Sequence, residues 1–158
     1  MKSMMTSLRI LFPAKADNTI LGSRIPFYAF VLLTVIGTVR SFIHILAPDA
    51  GLASIAGLDL SFAGSKDVVF FGSQWGAEQL IYAIIQWAVI IRYRSLIPAM
   101  WLVQFFETFL RMFVAHIKPI TFSHTPPGAI EDKIYIPLTL CMAAYALWSA
   151  TRSKEKSL

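Results

Sequence analysis

The sequence predicts an all-α, polytopic membrane protein: four transmembrane helices in an up-down bundle, with a long loop between the first two that has room for a short surface helix. Three observations predict it. The 158 residues are 56% hydrophobic and 15% charged, with a mean hydropathy of +0.63, too apolar for an ordinary soluble domain of this size. The apolar residues fall into four runs of about the length an α-helix needs to cross a bilayer. The cations concentrate in alternate connecting segments, the pattern that membrane topology imposes.

Residues 1–24 carry Lys2, Arg9, Lys15 and Arg24 against Asp17 alone, and read as a cytoplasmic lead-in. Met4, Met5, Leu8, Leu11 and Phe12 recur at helical spacing around those cations, which suits a short interfacial helix ending near Pro13; a frayed lead-in is the alternative. The first apolar run is too long for a secretory signal and no small-x-small site follows it, so no cleaved leader is expected.

The first span covers about residues 25–46, with Pro26 at its entry and Pro48 just beyond its end, as helix punctuation requires. Arg40 and His44 lie four residues apart in its second half. Residues 47–67 are rich in Gly, Ala and Ser, hold Asp49, Asp59, Lys66 and Asp67, and are too interrupted to span. Within this loop Leu52–Leu60 fits a short helix on the membrane surface or dipping into it.

The second span, about residues 68–91, carries Gln74, Glu78, Tyr82 and Gln86 at intervals of four, on one broad helical face. Gly72 and Gly76 form a G-x-x-x-G that allows a neighbouring backbone to approach. Arg92, Tyr93 and Arg94 turn tightly into the third span, about residues 96–117, where Pro98 is harmless in the first turn. Gln104, Glu107, Arg111 and His116 interrupt this span, and the four-residue spacing puts Glu107 and Arg111 on one face. Residues 120–133 read as a loop containing His124, a Pro126–Pro127–Gly128 break, Glu131, Asp132 and Lys133. The last span, about residues 134–150, has Pro137 in its first turn, and residues 151–158 form a basic cytoplasmic tail.

With the N-terminus inside, nine cations face the cytoplasm (Lys2, Arg9, Lys15, Arg24, Arg92, Arg94, Arg152, Lys154 and Lys156) against Lys66, Lys118 and Lys133 outside. The positive-inside bias therefore places both termini in the cytoplasm, in a bacterial-type inner membrane. It also gives the intramembrane polar groups a depth. An ionised side chain at a helix centre costs roughly 2.5 to 3.5 kcal/mol on insertion scales, so Arg40, Glu78, Glu107 and Arg111 are expected to turn toward one another. Two Arg and two Glu from three helices would then neutralise each other. His44, Gln74, Tyr82, Gln104 and His116 join them in a polar pocket opening outward. The bland reading is that such pairs only fix helix register.

Several classes are excluded. Cys141 is the single cysteine, so no disulfide framework or cysteine metal site can form. Three histidines without H-x-x-H or H-E-x-x-H spacing cannot build a His-rich di-iron membrane site, no Gly-rich phosphate loop, nucleophile elbow or paired-cysteine redox motif is present, and no metal or cofactor is expected. The net charge of +5 is scattered between apolar spans rather than gathered with stacking aromatics, which argues against nucleic acid.

The order of a first span, a Gly-rich acidic loop, F-F-G-S-Q-W-G-A-E-Q at Phe70–Gln79, a basic turn, and E-x-x-x-R at Glu107–Arg111 resembles the small four-helix DoxX-like and DUF4345-type membrane families over about residues 25–150. Where those families carry an Arg before an aromatic and paired glycines, this chain has Val69–Phe70–Phe71–Gly72–Ser73. The resemblance implies a fold and no particular chemistry.

Three functions are compatible with these residues. The pocket among helices 1–3 binds a small amphiphile (a lipid, quinone, isoprenoid or sterol-like molecule), with Arg40 and Arg111 gripping an oxygen-bearing headgroup. Alternatively, the chain is a non-catalytic subunit of a larger membrane complex or of a homo-oligomer. In the third reading it is an isomerase-like enzyme with Glu78 or Glu107 as acid and base.

Overall fold

The structure, a computed structural model, describes residues 2–155, with side chains from Thr6 to Lys154. Five α-helices and no strand occur among the described residues: α1 Lys2–Leu11, α2 Ile25–Leu46, α3 Ser65–Arg92, α4 Ile97–Ile117 and α5 Pro127–Glu155. A single 3₁₀ turn, Arg94–Leu96, joins α3 to α4. Three helical stretches, α2, Arg94–Ile117 and Pro127–Lys154, are long and apolar enough to cross a membrane. Their outward faces carry large apolar side chains such as Leu32, Val39 and Phe42 on α2 and Phe106, Leu110 and Phe113 on α4. An apolar surface this extensive matches acyl chains rather than water. α3 is as long, but Gln74, Glu78, Gln79 and Gln86 dilute its apolar character.

Local chemistry accounts for the helix limits. Pro26 and Pro98 sit in the first turns of α2 and α4, where a missing N–H has no intrahelical partner to lose. Hydroxyls inside the apolar helices satisfy themselves: Thr34 Oγ1 donates to the Phe30 carbonyl at 2.9 Å, Ser41 Oγ to Gly37 at 2.8 Å and Thr108 Oγ1 to Gln104 at 3.0 Å. Such back-bonding keeps a buried hydroxyl paired without help from another helix.

α2 packs along α3, and α4 along α5. Gly76 makes the first pairing close, since a Cβ there would stand 2.5 Å from His44 Cβ and 3.2 Å from the His44 backbone. At one end the loops 47–64 and 118–126 meet, with the Ser123 amide donating to the Gly57 carbonyl at 2.9 Å and His124 Nε2 3.2 Å from the Ile55 carbonyl. At the other end the segment after α1 crosses the bundle: Asp17 and Ser95 exchange hydrogen bonds, and the Ser23 amide donates to Ser149 Oγ at 3.2 Å. The core near this end is built on Trp101 and Phe30, both fully buried with their rings edge to face at 5.5 Å. Trp101 Nε1 donates to the Pro26 carbonyl at 3.1 Å, so this indole belongs to the core. Trp148 is exposed and carries Arg152 over its face at 4.4 Å.

Two expectations about boundaries are corrected. Leu52–Leu60 forms no helix: residues 48–56 are consecutive turns, organised by Asp49, whose carboxylate accepts the amides of Gly51, Ala53 and Ser54. An Asp bonding the amides that follow it competes with helix formation. The last helix begins at Pro127, not near residue 134. Proline is favoured at the first helical position because its fixed φ suits a helix and its missing N–H is not needed there. The Pro–Pro–Gly sequence therefore starts α5, and Pro137 falls inside the helix instead of in its first turn.

Candidate functional site

Starting α5 at Pro127 puts Glu131 and Asp132 in its second turn, against α2 and α4. Arg40 Nη1 of α2 donates to Glu131 Oε2 at 2.9 Å. Arg111 Nη2 of α4 lies 2.7 Å from Asp132 Oδ1, and Arg111 Nε lies 3.5 Å from Glu107 Oε1 one turn back. Two guanidiniums thus meet three carboxylates, a balance of one negative charge. Gly128 lets α5 close over this cluster, since a Cβ there would be 3.1 Å from Arg40 Nη2. Arg40 Nε also donates to His44 Nε2 at 3.4 Å, while His44 Nδ1 lies 2.7 Å from the Ala50 carbonyl. With Nδ1 carrying the proton for that carbonyl, Nε2 is free to accept. Trp75 closes the outer side, 4.9 Å from the His44 ring and 5.3 Å from the Arg40 guanidinium.

Beneath the cluster a cleft of about 50 Å³ separates α3 from α4 and α5. Its floor is a polar chain. Gln86 Nε2 donates to Gln104 Oε1 at 2.8 Å, Tyr82 OH approaches the same oxygen at 3.4 Å, and Gln104 Nε2 donates to Glu107 Oε2 at 3.0 Å. Thr108 Oγ1 stands 3.3 Å from that same Glu107 oxygen. Leu33 and Gly37 of α2 and Tyr135 of α5 complete the wall. Gln79 also lines the cleft, and its Oε1 is buried without a hydrogen-bond partner. A buried acceptor left unmet is costly, so this oxygen calls for a donor that enters the cleft. At about 10 to 15 Å³ per water, the cleft holds about three to five waters or the same number of ligand heavy atoms.

Of the residues singled out from sequence, the structure brings together Arg40, His44, Tyr82, Gln104, Glu107 and Arg111. Gln74, Glu78 and His116 are exposed and lie outside the cluster. The expectation that Glu78 joins the cluster is corrected: Gly76 turns one face of α3 into α2 and Gly72 turns it against Ala50 and Leu52 of the loop, Gln79, Tyr82 and Gln86 turn toward the cleft, and Glu78 is left on the outer flank. The neutralising acids are Glu131 and Asp132, hidden by the reading of 120–133 as a loop. Tyr135 follows Glu131 by one turn, so the same misplaced helix start concealed it. Gln79 carried a weak signal, being next to Glu78 on a helix whose inward face the glycines could have fixed. Both arginines are paired with carboxylates and both also line the cleft, where Arg111 Nε is a buried donor without a hydrogen-bond partner.

No protein-family model matches the chain, and neither a curated protein nor a solved structure is similar to it.

Proposed function

We propose that the chain is a four-span membrane protein, with the DoxX-like layout and both termini cytoplasmic, whose cleft binds the polar end of a small hydroxyl-bearing amphiphile. Chain continuity supports the fourth span. α2 and α4 begin at the same end of the bundle, where Asp17 meets Ser95, so α3 must run its full length to join them. The nine-to-three cation bias supports the orientation.

The unmet Gln79 Oε1 carries the ligand reading. It accepts from an O–H or N–H donor, and a hydroxyl is the smallest such group that an amphiphile's head can offer. The cleft volume, about 50 Å³, is well below the several hundred Å³ of a site that encloses a whole drug-sized molecule. A hydroxyl head with its apolar tail outside, between α3 and α4, suits both facts; an isoprenoid or sterol-like alcohol has that form. The Arg–carboxylate cluster then serves as the rigid outer wall that positions the cleft.

Gly37 supplies the test, because a Cβ at this position meets nothing within 4 Å. Gly37→Leu extends an apolar side chain from this open position into the cleft. Native mass spectrometry of the purified protein should find a bound amphiphile on wild type that is lost in Gly37→Leu and in Gln79→Leu, with unfolding temperatures unchanged in the former. A wild type that carries nothing, or a Gly37→Leu protein that carries as much, overturns the reading.

A further inference from the structure

Each of the helices α2 to α4 leaves a stripe of exposed residues at alternating intervals of three and four. On α2 it runs through Leu32, Val35, Val39, Phe42 and Leu46, and on α4 through Val103, Phe106, Leu110, Phe113 and Ile117. Both are wholly apolar and suit acyl chains. The corresponding stripe on α3 is Phe71, Gln74, Glu78, Ile81, Ile85 and Ala88, all exposed. It alone of the three places an amide and a carboxyl midway along a helix on the face turned away from the bundle. Among the described residues no cation pairs with Glu78, for Arg40 and Arg111 are held by Glu131, Asp132 and Glu107. A carboxyl at that depth facing lipid is costly and calls for a partner within the membrane.

We propose that a second copy of this chain covers the stripe, with two parallel α3 helices about a two-fold axis along the membrane normal and the Gln74 amide of each donating to the Glu78 carboxyl of the other. This rests on α3 crossing the membrane, as in the four-span reading. The spacing is that of a left-handed coiled-coil seam, in which an isolated polar position fixes register and strand number. Two copies inserted in the same orientation are necessarily parallel, and a two-fold axis repeats every contact. Gln74 offers two N–H donors and the Glu78 carboxylate offers acceptors, so the symmetric pairing satisfies both residues twice. Gln74 and Glu78 stand four residues, about one helical turn, apart, a separation that two long flexible side chains span across a parallel seam. A cationic helix from another protein would satisfy Glu78 and leave the Gln74 amide facing lipid. Phe71, Ile81 and Ile85 supply the apolar flanks of the seam.

The test uses the full chain in native membranes with Cys141→Ser as background. Ile81→Cys, on the seam, should cross-link to a dimer on oxidation, and Leu32→Cys, on the α2 stripe, should not. Glu78→Leu leaves α3 apolar and removes both intermolecular bonds, so the Ile81→Cys dimer should weaken roughly tenfold. Glu78→Gln keeps an amide pair and should retain most of it. An Ile81→Cys protein that stays monomeric, that joins a protein of different mass, or that dimerises equally with Glu78→Leu overturns the proposal. Labelling Ile81→Cys with a membrane-impermeant maleimide separates the two readings. A reactive thiol removes the four-span reading together with the dimer, whereas a protected thiol in a monomer removes the dimer alone.

Discussion

Arg40 of α2 and Glu131 of α5 are joined by a hydrogen-bonded ion pair of 2.9 Å, with both side chains about three-quarters buried. The pair ties the first apolar helix to the last across the mouth of the cleft. Breaking a fully buried pair by removing one partner costs about 3 to 5 kcal/mol; partial exposure lowers this to about 1 to 3 kcal/mol. Arg40→Met and Glu131→Leu should each destabilise by that amount. The double variant should recover to within about 1 kcal/mol of wild type, because the cluster's charge balance is the same as in wild type and neither member of the pair is left alone. Unfolding of the four proteins in one detergent checks the cycle, and two additive losses would mean that the residues are not coupled.

Sequence reasoning reached the helices and the inward turn of Glu107 and Arg111, because apolar run length and four-residue spacing are local signals. It did not reach the partners. With Pro127 as a break Glu131 and Asp132 read as loop acids; the same proline as the first helical residue places both on α5. Glu78 failed for a different reason. Four polar residues at intervals of four span a wide arc, and only packing decides which part of it turns inward. Gly76 against His44 decides it here.

That contact gives a second prediction. An alanine Cβ at Gly76 would be 2.5 Å from His44 Cβ and 3.2 Å from backbone atoms of α2, so the helices must separate, at a cost of about 1 to 3 kcal/mol. At Gly37 the same change meets open space and should be neutral or stabilising by up to about 1 kcal/mol. Gly76→Ala should also weaken the His44 and Arg40 contacts, which depend on the same approach. Thermal unfolding of the two alanine variants side by side distinguishes packing from glycine's backbone entropy.

The loop between α2 and α3 should respond to acid through Asp49. The Ser54 amide at 2.6 Å, with the Gly51 amide behind it, holds this carboxyl down to about 2 from an ordinary 3.8. The folded loop therefore binds the proton less readily than the unfolded chain. Its stabilisation is complete above about pH 4 and is lost as pH falls through about 2. Asp49→Asn should lower stability at neutral pH and flatten the dependence between those limits. Proteolysis of the loop in the detergent-solubilised protein at pH 3 to 7, with an acid-active protease, follows the change. An unaltered acid profile in the variant would remove Asp49 as its source.

The polar floor of the cleft gives the last prediction. Gln104 accepts from Gln86 at 2.8 Å and donates to Glu107 at 3.0 Å, so it is the one residue that joins α3 to the carboxylate on α4. Gln104→Leu strands the Gln86 donor and removes one partner from Glu107, and each unmet buried group costs about 1 to 3 kcal/mol. Adding Gln86→Leu removes the stranded donor and should return about 1 kcal/mol, leaving the losses at Glu107 and at the Tyr82 hydroxyl. Gln104→Glu should fare worse than leucine, because it keeps an acceptor for Gln86 but sets a second carboxylate against Glu107 where a donor had been. Unfolding at neutral pH orders the series as Gln104→Glu below Gln104→Leu below the double leucine variant. The reverse order would mean that water in the cleft, and not the amide chain, satisfies these groups.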